Sequence, residues 1–159
     1  MQRSEKSGEK LIVRNRRATF DYELEDRYEA GIVLLGSEVK SLRAGAVDLS
    51  EAYAALEGNE VWLKQMQIAP FSAAKSFPHE PHRKRKLLLH AREIEQLAKA
   101  TQRGGYTIVP VRLFFDQNGR VKVEIAIGKG KTKIDKRQDI ARKTADREAR
   151  DAIGRRRKE

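Results

Sequence analysis

The sequence predicts a mainly β fold: a small antiparallel barrel, closed or partly open, with two or three short helices and a basic C-terminal tail. Three observations carry this. Apolar and polar residues alternate with the period of half-buried strands, most clearly at Val109, Val111, Leu113 and Phe115 and again at Val121, Val123, Ile125 and Ile127. Hairpin turn signals, Gly58-Asn59 and Asn118-Gly119, separate such segments. Charge is segregated: residues 128–159 hold 13 Lys or Arg against 6 Asp or Glu, a net of +7 out of +11 for the whole chain.

The elements follow in order. Residues 1–10 are polar and charged and are expected to be disordered. Leu11-Ile12-Val13 reads as a short strand leading into Arg14, Arg16 and Arg17. Residues 19–25 alternate, with Phe20, Tyr22 and Leu24 on one side and Asp21, Glu23 and Glu25 on the other, which predicts a strand. After a charged bend, residues 30–35 form an apolar run that reads as the next strand. Ser37 can cap a short helix through Arg43, stopped by Gly45. Val39 and Leu42 then face the core, while Glu38, Lys40 and Arg43 stay near the surface. Residues 53–56 and 61–65 form a hairpin about Gly58-Asn59. Residues 72–81 are a loop punctuated by proline. Leu87-Leu88-Leu89 leads into a helix to about Gln102, with Ile94, Leu97 and Ala98 on one face, ended by Gly104-Gly105. The last hairpin spans residues 109–127, with Lys122 and Glu124 facing out. In residues 138–153 the apolar face is mostly alanine, too little to hold the segment on a core. A lone helix of that length is marginal in water, so it is expected to fold on meeting a partner.

Composition narrows the function. A chain of 159 residues fits one domain with tails. A pI near 10.0 favours a polyanion, nucleic acid or an anionic membrane. The membrane reading is weaker, because no apolar run reaches the roughly 20 residues of a spanning helix and no signal-peptide pattern opens the chain. With no cysteine there is no disulfide framework and no thiolate zinc site. A cytoplasmic protein is the simplest fit.

No catalytic constellation is visible, and no cofactor or metal is expected. His79 and His82 flank Glu80, but the prolines around them predict a loop rather than a rigid ligand set. His90 reads as a cap or core residue. Gly128-Lys129-Gly130-Lys131 lacks the spacing of a phosphate-binding loop. Three cation clusters remain, at residues 14–17, 83–86 and 129–133, each suited to phosphates. Gly128 and Gly130 would let the backbone approach an RNA. Phe20, Tyr22 and Tyr28 can stack on bases, and their alternation fits core packing equally well.

Longer runs carry a family resemblance. Asn15-Arg16-Arg17-Ala18, Tyr28-Glu29-Ala30-Gly31-Ile32, Glu38-Val39-Lys40-Ser41-Leu42-Arg43-Ala44-Gly45, Arg83-Lys84-Arg85-Lys86-Leu87-Leu88-Leu89, Gly105-Tyr106-Thr107-Ile108-Val109-Pro110 and Asp135-Lys136-Arg137 resemble the SmpB family of SsrA-binding proteins. The resemblance implies an oligonucleotide-binding-like barrel that holds the tRNA-like domain of transfer-messenger RNA and delivers it to stalled ribosomes for trans-translation. It implies no enzyme activity. The expected division is a disordered residues 1–10, an RNA-binding body over 11–133, and a tail over 134–159 that is disordered when free and enters the empty message channel and decoding centre of the small ribosomal subunit. Implied partners are transfer-messenger RNA, the small subunit with its ribosomal RNA, and elongation factor Tu, with the chain itself a monomer.

Carried onto this sequence, the resemblance ties Asn15, Glu29 and Leu88 to RNA binding, with Leu88 shaping the core beneath the surface. The charge clusters add Arg16, Arg17, Arg83, Arg85, Lys86, Lys129, Lys131 and Lys133; Tyr22 is added as a stacking ring, and Lys40 and Arg43 from the 38–45 run. Glu29 cannot meet phosphate, so it accepts from base edges or ribose or orients a cation. Asp135, Lys136 and Arg137, with Arg142, Lys143, Arg147 and Arg150, form the part that acts on the ribosome. Phe20 and Ile134 stand where histidine is common in the family, the latter also tyrosine, and Ala46 where lysine is. The competing reading is a ribosomal or translation-initiation protein that binds ribosomal RNA; a nuclease is the distant third.

Overall fold

The computed structural model describes residues 8–70 and 80–158, with residues 133–135 and 151–158 described by backbone alone. The chain runs β1 (Lys10–Arg14), α1 (Arg16–Asp21), β2 (Tyr22–Ile32), α2 (Gly36–Arg43), β3 (Val47–Asp48), β4 (Tyr53–Glu57), β5 (Glu60–Lys64), β6 (Gln67–Ile68), β7 (Arg85–Leu88), α3 (Ala91–Thr101), β8 (Tyr106–Phe115), β9 (Val121–Gly130) and α4 (Lys133–Lys158). Seven strands pair in the order β1-β8-β4-β5-β7-β2-β9, and a further β8–β9 pairing closes six of them into a ring flanked by β1. The pairings are antiparallel. The predicted mainly β barrel with few helices is the fold observed.

The ring closes around one apolar core. Leu63, Ile108, Leu113, Val123 and Ile125 point in from the strands, Leu42 comes from α2 and Leu97 from α3. Burying each such side chain contributes about 1.5–3 kcal/mol. Both predicted hairpins form: β4 pairs with β5 across Gly58, and β8 with β9 across Gly119. Both glycines take positive φ, +62° and +76°, which turns of this kind demand.

Several expectations change. Residues 19–25 are not one strand. Arg16–Asp21 is a short helix that turns Ala18 inward, and the chain becomes extended only at Tyr22. Nor is the apolar run after Asp26 a separate strand. β2 continues for 11 residues to Ile32, and the charged bend is a bulge between Leu24 and Arg27 in its ladder with β9. Leu88 belongs to β7 and is 53% exposed, so it lies on the surface rather than under it. The α2 cap is not Ser37; Glu38 reaches back to the Leu35 N–H at 2.8 Å. Of residues 1–10, Glu9 binds Arg112 at 3.3 Å and Lys10 pairs with Phe115 in β1; residues 1–7 lie outside the described residues, as do residues 72–79 of the expected loop, His79 among them. The tail, expected to order on a partner, forms one helix, Lys133–Lys158.

The largest departure concerns charge. Glu38, expected at the surface, is fully buried and so is Arg85. Arg85 Nε donates to Glu38, Nη1 to Met66 O at 2.7 Å and Nη2 to Pro81 O at 3.2 Å. Arg83 donates to the other Glu38 oxygen at 2.5 Å. One guanidinium thus ties α2, the turn after β5 and the residues before β7. Glu124, expected to face out, is 2% exposed and holds Arg112 and, at 3.1 Å, Arg27. Burial alone would push the Glu38 and Glu124 carboxyls up in pKa, yet the hydrogen bonds they accept outweigh it. Both sit below the usual glutamate range.

Arg85→Ala is expected to destabilise the fold by about 3 kcal/mol in denaturant titrations, because Glu38 Oε2 loses its buried partner and the Met66 and Pro81 carbonyls lose their donor, while Arg83 still holds Oε1. Since both glutamates have lowered folded values, their contribution is complete above about pH 4.5 and is lost as pH falls through the lowered values. Thermal melts of Glu38→Gln between neutral and acid pH should show a flatter acid limb than wild type.

Candidate nucleic-acid interface

The expected site residues fall into separate groups. The first surrounds α1 and the open end of β9. Tyr22 pairs with Gly130, and Glu23 with Lys129, so the β2–β9 ladder delivers the Gly-Lys-Gly-Lys run beside α1. Arg16 and Lys129 are exposed there and make no ion pair among the described residues. Arg17 bridges Glu51 at 2.9 Å and Asp21 at 3.8 Å. Tyr22 is half-buried and packs against Gly128. A Cβ added at Gly128 would come within 3.0 Å of the Tyr22 Cβ, so the glycine permits the close approach of the two strands. A cleft of about 240 Å³ beside them is lined by Arg17, Asp21, Tyr22, Glu51, Tyr53 and Thr107.

Asn15 is part of this group in sequence but not at its surface. It is 7% exposed, and its Nδ2 donates to Pro110 O at 2.9 Å and Leu49 O at 3.3 Å. It therefore seats α1 on β8, and any influence on a ligand passes through its neighbours.

The second group lies on the outer face of β2 and β7. Glu29, Gly31, Leu88, His90, Glu93 and Lys122 line a cleft of about 300 Å³. Gly31 pairs with Leu88 on one side and Lys122 on the other. A Cβ at Gly31 would sit 3.3 Å from the Leu88 Cβ, so the exposed leucine packs down on bare backbone. Glu29 stands opposite Glu124 in the ladder, near the Arg27 and Arg112 cations that Glu124 holds. Lys122 is a cation the sequence placed outward without assigning it a role; its register opposite Gly31 is what brings it to Leu88.

The 83–86 cluster divides by strand period. Lys84 lies over the Trp62 ring at 4.6 Å and pairs with Glu57 at 2.9 Å, and Lys86 pairs with Glu60 at 3.3 Å. Arg83 and Arg85 turn to Glu38 instead. Arg85 is therefore a structural cation without surface access, contrary to its expected place in a phosphate-binding cluster. Lys40 and Arg43 are exposed on α2.

In the tail, Lys131 donates to Thr19 O at 2.8 Å and pairs with Asp139. That pairing holds the Asp139 carboxyl below the usual aspartate range. Lys136 pairs with Asp21 at 3.1 Å. Arg137, Lys143, Arg147 and Arg150 are exposed, Arg142 pairs with Asp139 at 3.0 Å, and Ile140 is 52% exposed. The side chains of Lys133 and Asp135 lie outside the described residues. Among the described residues, no group of three or more His, Asp or Glu forms a metal-binding cluster, and no helix is long and apolar enough to cross a membrane.

Comparison with known proteins agrees with this geometry. The family model described as SmpB protein matches residues 12–155. The SsrA-binding protein of Nocardia farcinica is 50% identical over 149 residues, covering 94% of this chain and 92% of that protein. The SsrA-binding protein of Symbiobacterium thermophilum is 53% identical over 137 residues, covering 86% and 87%. A solved chain described as "tmRNA-SmpB: a journey to the center of the bacterial ribosome" superimposes with a TM-score of 0.67 at 40% identity, covering 81% of this chain and 94% of that one. With a family model that spans barrel and tail alike and relatives about half identical over most of both chains, the chain belongs to the SmpB family.

Proposed function

We propose that this protein binds the tRNA-like domain of transfer-messenger RNA and delivers it to stalled ribosomes for trans-translation. One observation carries the reading: Arg16 and Lys129 stand exposed beside Tyr22, where α1 meets the end of β9, with no ion pair among the described residues. Cations left without internal partners are the ones available to phosphates, and a neighbouring aromatic ring can take an unstacked base. The names of the relatives, SsrA-binding proteins, and the description of the solved neighbour in terms of tmRNA and the bacterial ribosome support it.

Within this reading the barrel and the tail have different tasks. The barrel holds RNA through Arg16, Arg17, Tyr22, Lys129 and Lys131, with Lys40, Arg43, Arg83, Lys86 and Lys133 as further phosphate contacts. Asn15 and Arg85 fix the elements that carry them. Glu29 and Leu88, beside Lys122, shape a second contact in the outer cleft, where a carboxylate accepts from base edges or ribose. The tail occupies the empty message channel and decoding centre through Asp135, Lys136, Arg137, Arg142, Lys143, Arg147 and Arg150, and is ordered fully by that surrounding. An alanine-rich helix face with exposed Ile140 suits a helix that completes its packing on a partner. The protein acts as a monomer in the cytoplasm, joined by elongation factor Tu in the delivery complex, and supplies no catalytic group.

Binding the tRNA-like domain, an ordinary tRNA and a ribosomal RNA fragment at moderate salt should rank the first tightest. Equal affinity for all three would refute the reading. Replacing Arg16 and Lys129 together by alanine should reduce the slope of log affinity against log salt by roughly 1.5 to 2. Removing all residues after Lys133 should leave RNA affinity close to wild type while abolishing tagging on stalled ribosomes, read by in vitro translation of a message without a stop codon.

A further inference from the structure

A chain of ion pairs runs across the outer wall formed by β2, β8 and β9. Arg112 Nε donates to Glu124 at 2.5 Å and its Nη1 to Glu9 at 3.3 Å, while Arg27 Nη1 donates to the second Glu124 oxygen at 3.1 Å. Glu29 stands directly opposite Glu124 in the β2–β9 ladder and shares a cleft of about 230 Å³ with Glu9. Residues 27 and 29 are two apart on one strand, so they share a face. Glu124 is thus opposite Glu29 and diagonal to Arg27, within reach of a long side chain in both cases. Arg27 has two carboxylates to choose between, and it takes Glu124.

Burial decides that choice. Glu124 is buried and costly to leave half-paired, whereas Glu29 is half-buried and keeps access to water. From the other side Arg112 anchors Glu124, and Arg112 is itself fixed by Glu9 and by the Phe114 ring, 4.1 Å from its guanidinium. Glu9, Glu29 and Glu124 are three carboxylates against the two guanidiniums of Arg27 and Arg112, so one carboxylate is left over. It is Glu29, which makes no ion pair and no side-chain hydrogen bond among the described residues. Lys122, diagonal to it on β9, lines the same outer cleft without pairing with it. An ionised carboxylate only accepts hydrogen bonds, so Glu29 offers its full acceptor capacity to a ligand.

We propose that Glu124 is a positioning residue for RNA recognition: it holds the Arg27 guanidinium inward, and this keeps the Glu29 carboxylate open to the donors of a bound RNA. Glu124 is itself too buried to touch RNA and acts through Arg27 alone. Glu9 and Arg112 stand one step further back and keep Glu124 anchored, so the segment before β1 is tied to the outer cleft. The proposal rests on the proposed contact of Glu29 with RNA; the choice Arg27 makes between two carboxylates does not.

The affinity of the full-length protein for a transcript of the tRNA-like domain tests this as a double-mutant cycle. Glu29→Ala should weaken binding about tenfold, the cost of one charge-assisted hydrogen bond. Glu124→Gln should weaken it by a similar factor, because the freed Arg27 swings onto Glu29. In the Arg27→Met background, adding Glu124→Gln should change affinity by less than about twofold. A loss of equal size in both backgrounds, or no loss in either, overturns the positioning role. Should Glu124→Gln melt below the assay temperature, Arg112→Met with Glu124→Met replaces the buried pair by apolar side chains, still frees Arg27 and enters the same cycle. A crystal structure of the free Glu124→Gln protein should place the Arg27 guanidinium on the Glu29 carboxylate. A guanidinium that leaves Glu29 open overturns the proposal without reference to RNA. Glu29→Ala that binds as tightly as the parent refutes the RNA contact itself, and the crystal structure then still decides where Arg27 goes.

Discussion

The buried Glu38–Arg85 pair is the constraint on which the arrangement of the barrel depends. The two side chains are fully buried, and the guanidinium also takes carbonyls from Met66 and Pro81. Through it α2, the turn after β5 and the approach to β7 are fixed to one point. A buried pair of this kind adds little net stability against an apolar replacement, but half of it alone is strongly destabilising. Its value is geometric. With Arg85 pointing in, the strand period turns Lys84, Lys86 and Leu88 out, and Leu88 then settles on Gly31 to form the outer cleft.

The same logic sorts the other cations. Arg112 and Arg27 converge on Glu124, and Asn15 pins α1 to β8 through Pro110 O. These groups hold the framework. Arg16 at α1 and Lys129 at the end of β9 stay exposed instead. A net charge of +11 thus overstates the binding surface, because several of its positive groups are closed within the fold. On the proposed reading, a polyanion is held by the position of the exposed cations rather than by total charge.

What could be read from the sequence was whatever depends on local period. The β8–β9 hairpin showed itself through four alternating apolar residues on each side of Asn118-Gly119, and the β4–β5 hairpin through Gly58-Asn59. The short helix α1 did not, because a single buried alanine in Arg16–Asp21 leaves no helical stripe and Phe20, Tyr22 and Leu24 mimic a strand. The burial of Glu38, Arg85 and Glu124 was hidden for a different reason. Their partners lie 47 residues apart in one case and 97 in another, and pairing over such distances leaves no periodic mark. One signal was available: Leu35 followed three residues later by Glu38 has the spacing of a capping box, which draws the carboxylate back toward the helix start. Of the site, the family motifs gave the residues, and only the register of β2 with β7 and β9 showed which of them meet.

The central claim is that the barrel and the tail engage different partners. Hydrogen exchange of the intact protein, with and without the tRNA-like domain of transfer-messenger RNA, tests it most directly. Slowed exchange is expected in α1, the start of β2 and the end of β9, with residues 145–150 exchanging as fast as in the free protein. Protection concentrated in residues 145–150, with α1 and β9 unchanged, would contradict it.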